Sequence, residues 1–213
     1  KMEQLQTEQQ KKLEQVYRKK VLEQRLNRRI FCSRYRYGNK DYYINEWVLP
    51  QIDKFKKIIN KVGLDKLENK SILELSSESG HISTFIYNNF TTKMVIASDI
   101  ADSLREAIPH VSSWLGFNKY PKIVILDNYY LPFKDDSFDF VFGVSILHHF
   151  PNPYPIIKEV RRVVKKNGIV VFLAEPFLPS YLLFLELFYS VFDKKQGICE
   201  KVFSLKEWLN CMR

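Results

Sequence analysis

Between Lys70 and Ala174 the chain alternates short apolar runs with longer amphipathic stretches, and this alternation constrains the fold more than any other feature. The runs are Ser71–Leu75, Met94–Ser98, Ile123–Leu126, Phe138–Ser145 and Ile169–Ala174. Each is short and rich in Val, Ile, Leu or Phe, as strands buried on both faces of a parallel sheet are. Helices are predicted near His81–Asn89, Ser103–Trp114 and Tyr154–Val164. Strand and helix taken in turn build βαβ units. The expected fold is therefore α/β, an open sheet of mostly parallel strands with helices on both faces. Ligands of such sheets lie beyond the C-terminal ends of the strands, so the residues just after each run are the ones to read for function.

The 213 residues, 46% of them hydrophobic and 15% aromatic, suffice for a real core and exclude wholesale disorder. Cys32, Cys199 and Cys211 are far apart and form no CxxC pair, so neither a disulfide framework nor a zinc cluster is expected. Reduced thiols and a polar opening segment point to a cytoplasmic protein. The net charge of +9 is unevenly spread. Residues 1–37 hold 11 Lys and Arg against 4 Asp and Glu, whereas residues 38–213 are almost balanced. We therefore divide the chain into a basic N-terminal helical arm, 1–37, and a body, 38–213. A nearly neutral body argues against a nucleic-acid groove.

Residues 1–30 lack Gly and Pro, and Leu13, Val16, Tyr17, Val21, Leu22, Leu26 and Ile30 recur at helical spacing. The stripe does not sustain three clean heptads, so a helix packed on the body through its second half is preferred to a coiled-coil contact with a protein partner or an anionic surface. Its first dozen residues are expected to be solvated. Aromatic residues crowd the next segment, among them Tyr42, Tyr43 and Trp47, and a helix is predicted from Gln51 to Val62, stopped by Gly63. The apolar segment 177–192 is interrupted by Pro179 and Glu186. It reads as a buried or lid helix, or as a contact for an apolar or membrane surface. Ser204 followed by Glu207 predicts a capped helix start.

The first run leads into Glu74-Leu75-Ser76-Ser77-Glu78-Ser79-Gly80. Asp99 and Ile100 follow the second run, and Asp127-Asn128 closes the third, with Leu131-Pro132-Phe133 just beyond. Then come Ser137-Phe138-Asp139, Leu147-His148-His149 and Glu159-Val160-Arg161-Arg162-Val163, ending at Gly168. This ordered set resembles the class I S-adenosylmethionine-dependent methyltransferases, in the small-molecule branch, whose fold is Rossmann-like. Ser76, Glu78 and Gly80 take the three glycine positions of that family's first motif, so only the last glycine survives. The family's last two strands, an antiparallel hairpin, have no counterpart before Arg213. With no Met at position 1, we expect a processed or excised segment, or an edge supplied by a partner.

The resemblance implies S-adenosylmethionine as cofactor. Asp99 would accept from its ribose diol, Asp127 from the adenine amine, the Asn128 backbone N–H would donate to a ring nitrogen, and Ile100 belongs to the same cofactor-binding set. The loop of Ser76, Glu78 and Gly80 would face the methionine end, and Glu74, at the motif's acidic position, and Ser145, at the end of the fourth strand, complete the cofactor-binding set. Glu78 adds a long carboxylate where the family has glycine, which should weaken binding unless it swings outward or pairs with a cation. His148 and His149 sit where substrate is expected and are the candidate catalytic residues, able to take a proton from a hydroxyl or amine. His81 is a weaker candidate. No metal site is expected, because no histidine pairs with a carboxylate at ligand spacing. The expected activity is methyl transfer to a small, apolar molecule. The alternative is a non-catalytic protein of this fold that serves as a binding or scaffolding module. A further expectation is that Tyr42, Tyr43 and Trp47 form a lid over the cofactor, against the alternative that they pack the arm onto the body.

Overall fold

All five apolar runs become strands of one sheet: β1 (Ser71–Leu75), β2 (Met94–Asp99), β3 (Lys122–Ile125), β4 (Phe138–Val144) and β5 (Val164–Leu173). The computed structural model describes residues 8–26, 40–63, 67–179 and 202–212. The strands are parallel and lie in the order β3-β2-β1-β4-β5. Asp99 pairs with Ile125, Leu75 with Gly143, and Gly143 with Phe172, which brings the C-terminal ends to one edge.

Side chains leave each strand alternately, so the sheet builds two cores. Leu73, Leu75, Phe138 and Val141 face α6 (Tyr154–Val163) and its buried Ile156, Ile157 and Val160. Trp208 of α7 (Leu205–Met212) joins the same side. Ile72, Val95, Phe140 and Phe142 face α3 (Leu49–Val62), α4 (His81–Asn89) and α5 (Leu104–Trp114). Phe55 of α3 lies 5.2 Å from Phe142, which stacks on Phe140 at 5.4 Å. Helices thus cover both faces, as the alternation requires.

Three expectations are adjusted. The helix ending in Val62 begins before Gln51, because the chain is already helical through α2 (Lys40–Tyr43) and a π turn over Ile44–Val48. Pro50 follows the π turn, in which the Leu49 N–H bonds back to the Ile44 carbonyl, so the helix widens where the proline has no N–H to donate. Strand β5 starts at Val164, five residues before the run at Ile169. The extra residues pass through an irregular register against β4, where a Cβ on Gly168 would come within 2.5 Å of Val164. Helix α1 (Glu8–Leu26) also makes described contacts through Lys11, one of the first dozen residues expected to be solvated, and through Glu14 and Gln15 just beyond them. Those contacts are polar, and a hydrophobic stripe does not report them.

The capped start is present: Glu207 accepts from the Ser204 N–H at 2.7 Å, and Ser204 Oγ accepts from the Glu207 N–H at 3.2 Å. Two-residue strands β6 (Phe177–Leu178) and β7 (Phe203–Ser204) pair alongside α7. Cys32, Cys199 and most of the 177–192 segment lie outside the described residues.

Candidate functional site

The loop from β1 to α4 keeps the backbone of a glycine loop although two of its glycines are replaced. Ser76, Glu78 and Gly80 have φ of 50°, 54° and 63°. Side chains rarely adopt this left-handed region, because Cβ crowds the following carbonyl. The loop is pinned from both sides. The Ser77 N–H donates to the Ser98 carbonyl at 2.8 Å, the Glu78 N–H to Asp99 Oδ2 at 3.0 Å, and Asn128 Nδ2 to Ser76 Oγ at 2.9 Å. The serine that replaces the first glycine is thus a tie to the end of β3. Packing alone already calls for glycine at position 80: its φ is 63°, and a Cβ there would stand 2.4 Å from Ile108 of α5.

Asp99 is buried, and Oδ1 accepts from the Ala101 N–H at 3.1 Å. Asp127 Oδ1 accepts from the Tyr129 N–H at 2.9 Å. Asn128 is buried at the same edge, and its Oδ1 has no hydrogen-bond partner among the described residues. Ile100 follows β2 directly, and Ser145 is exposed at the end of β4 in the left-handed region, its N–H donating to the Leu173 carbonyl at 2.7 Å. The structure therefore gathers Ser76, Glu78, Asp99, Ile100, Asp127 and Asn128 along one edge of the sheet.

Glu74 plays a different part from the one expected. Its carboxyl is fully buried and bonds both the N–H of Ser83, at 3.1 Å, and that residue's hydroxyl. Burial outweighs those bonds and pushes the carboxyl up to about 8, so Glu74 is protonated at neutral pH. It anchors the first turn of α4. His81 is likewise internal. Tyr43 donates to Ser79 Oγ at 2.8 Å, Ser79 Oγ lies 2.8 Å from His81 Nδ1, and His81 Nε2 lies 3.2 Å from Gln51 Oε1. Tyr43 is fully buried and Trp47 is half-buried against the same cluster, so these two rings pack on the body, whereas Tyr42 is exposed.

His148 and His149 occupy a 3₁₀ turn after β4, with ring centroids 4.3 Å apart. Glu175, two residues beyond β5, organises this turn. Its carboxylate accepts from the backbone N–H groups of Ile146, Leu147 and His148 at 2.8, 3.1 and 3.2 Å, and lies 2.9 Å from His148 Nδ1. A carboxylate oxygen accepts, so Nδ1 is the nitrogen placed to donate to it, and in the neutral tautomer with that arrangement Nε2 is an acceptor. Glu175 was open to discovery by the same rule that singled out Asp99 and Asp127, since it too follows a strand.

Helix α1 completes the edge. Lys11 Nζ lies 2.6 Å from Asp127 Oδ2 and 5.7 Å from the Tyr129 ring centroid. Gln15 Nε2 donates to the Ile100 carbonyl at 3.3 Å, and Glu14 Oε1 lies 3.7 Å from His149 Nδ1. Burial alone would lower Lys11, but its bonds to Asp127 and Glu8 prevail and raise it. No sequence signal marks these residues, because polar positions on a charged helix look alike.

A buried edge of acceptors beside a glycine-type loop, at the C-terminal ends of parallel strands in 3-2-1-4-5 order, decides the architecture. The chain has the Rossmann-like fold of the class I methyltransferases. A family model described as a methyltransferase domain matches residues 73–172. A malonyl-[acyl-carrier protein] O-methyltransferase of Halorhodospira halophila is 23% identical over 141 residues, which are 66% of this chain and 47% of that protein. A demethylmenaquinone methyltransferase of Bacillus velezensis is 39% identical over 85 residues, 37% of this chain and 35% of that protein. The chain thus spans half or less of the length of these relatives. The solved BH2331 structure from Bacillus halodurans C-125 superposes with a TM-score of 0.62 at 24% identity, covering 76% of this chain and 66% of that one. The [4+2]-cyclase SpnF shares the fold at a TM-score of 0.59 and 13% identity, over 76% of this chain and 55% of that one. The fold therefore houses more than one chemistry.

Proposed function

We propose that the edge formed by β1, β2 and β3 binds S-adenosylmethionine and that the chain transfers its methyl group to a small, apolar molecule. The observation that carries this reading is the loop: Ser76 and Glu78 hold left-handed backbone at a cost in strain, and that strain has a use if it keeps the loop clear for a ligand. The acceptor set fits the group. Asp99, Asp127 and the unpartnered Asn128 Oδ1 would hold the hydroxyl and amine donors of an adenosine. When bound, the cofactor supplies a methyl group already activated by its sulfonium. The chain then needs to align the acceptor and hold a proton. His148 is suited to the second task, with Glu175 on Nδ1 and Nε2 left to take a proton from a hydroxyl or amine. Tyr130 and Phe177, exposed after β3 and β5, support an apolar acceptor.

Calorimetric titration with S-adenosylmethionine and S-adenosylhomocysteine tests the reading. Heat and a raised melting temperature are expected for both, abolished by Asp99→Ala in a protein that still folds. Absence of heat and of any thermal shift at millimolar ligand would overturn it. The second reading, a non-catalytic binding module, is favoured by one observation: Asp127 already holds Lys11 of the arm.

A further inference from the structure

Three residues on one stripe of α1 meet three strand ends. Lys11, Glu14 and Gln15 stand at spacings of three and four, which places them on one face of a helix. That face reaches Ile100 after β2, Asp127 and Tyr129 after β3, and His149 after β4. The chemistry of the contacts is that of a ligand. Lys11 gives an N–H donor to the Asp127 carboxylate, and Gln15 gives one to the Ile100 carbonyl. Glu14, nearly buried, brings a carboxylate to the histidine turn.

We propose that α1 is a built-in competitor for the adenosine end of the crevice, with Lys11 holding the acceptor that would otherwise read the adenine amine. The proposal rests on the reading that this crevice takes S-adenosyl compounds. It makes the arm a regulator of access: ligand enters as α1 lifts, and anything that draws the basic helix away opens the site.

The test uses the full chain and S-adenosylhomocysteine, which binds without turnover and carries no net charge. Lys11→Met keeps the length of the side chain and removes the ion pair. Loss of a partly exposed ion pair should tighten binding by about threefold to tenfold. Raising salt from about 50 mM to about 500 mM screens Lys11 from Asp127, so wild-type affinity should rise while that of Lys11→Met stays level. Ligand should also speed amide exchange across residues 8–16. Weaker binding by Lys11→Met, with α1 protected by ligand, would overturn the proposal and make the helix part of the binding wall. Equal affinity of the two proteins with no salt effect would also overturn it, leaving the cofactor reading intact. No binding by either protein would overturn both. Gln15→Ala, which breaks the second contact, guards against misfolding of one variant and should tighten binding in the same direction.

Discussion

At the scale of single residues, the glycine positions are the most telling. Ser76 and Glu78 have the same left-handed backbone, and the Glu78 N–H bond to Asp99 survives a change to glycine whereas the Ser76 hydroxyl bond to Asn128 does not. Glu78→Gly should raise stability by about 1 kcal/mol through relief of strain. Ser76→Gly gains the same relief but strands Asn128 Nδ2 without its acceptor, so its net effect should be close to zero. Urea midpoints of the two variants check this, and an Glu78→Gly protein less stable than wild type would refute it. Glu74 makes a prediction about pH. Its carboxyl ionises near 4.5 when unfolded but keeps its proton to about 8 when folded. The native state therefore binds the extra proton between those values, and its stability should fall as pH rises through that window. Glu74→Gln mimics the protonated form. Its melting temperature should lack this decline, and parallel curves for the two proteins would contradict the assignment.

Elements are held to one another by side chains that looked like site motifs in the linear sequence. Arg162 of α6 forms a two-pronged pair with Glu159, donates to the carbonyls of Leu131 and Phe133, and reaches Asp135. Glu159 in turn accepts from the Leu131 N–H at 2.9 Å, so the pair clamps the Leu-Pro-Phe loop onto α6. The Arg162 bond holds Glu159 below the usual carboxylate range. Arg162→Lys keeps the charge and loses the fork, and should cost about 1–3 kcal/mol in chemical denaturation. Full stability in that variant would show that charge alone suffices. Asp139 serves in the same way between strands, accepting from the Ser71 N–H and from Lys165, both at 2.9 Å. Burial would raise it, but the bonds to Ser71 and Lys165 win and lower it. Glu175 ties the end of β5 to the histidine turn, so Glu175→Gln should shift His148 away from the Nδ1–H tautomer. Nitrogen NMR of the imidazole reads this directly, and an unchanged tautomer would remove Glu175 from its positioning role.

Across the whole molecule, periodicity was visible in one dimension and contact was not. Each strand of the sheet lies at or beside its apolar run, because a strand buried on two faces needs an unbroken run of apolar residues wherever it sits. Asp99, Asp127 and Asn128 were also within reach of the sequence, since the C-terminal end of a parallel strand is a place that order along the chain defines. The roles of Glu74, Gly80 and Glu175 were not. A carboxyl after a strand reads the same whether it turns to a ligand, to Ser83 or to a histidine turn, and only the packed neighbours distinguish these. Nor does the sequence show that Ile108 packs against Gly80. The N-terminal arm shows the difference most plainly. Composition marked it as a basic helix, because helix propensity and charge are properties of the residues themselves. That its Lys11 reaches Asp127, 116 positions later in the chain, follows from where the folded sheet presents that carboxylate, and that is set by tertiary packing.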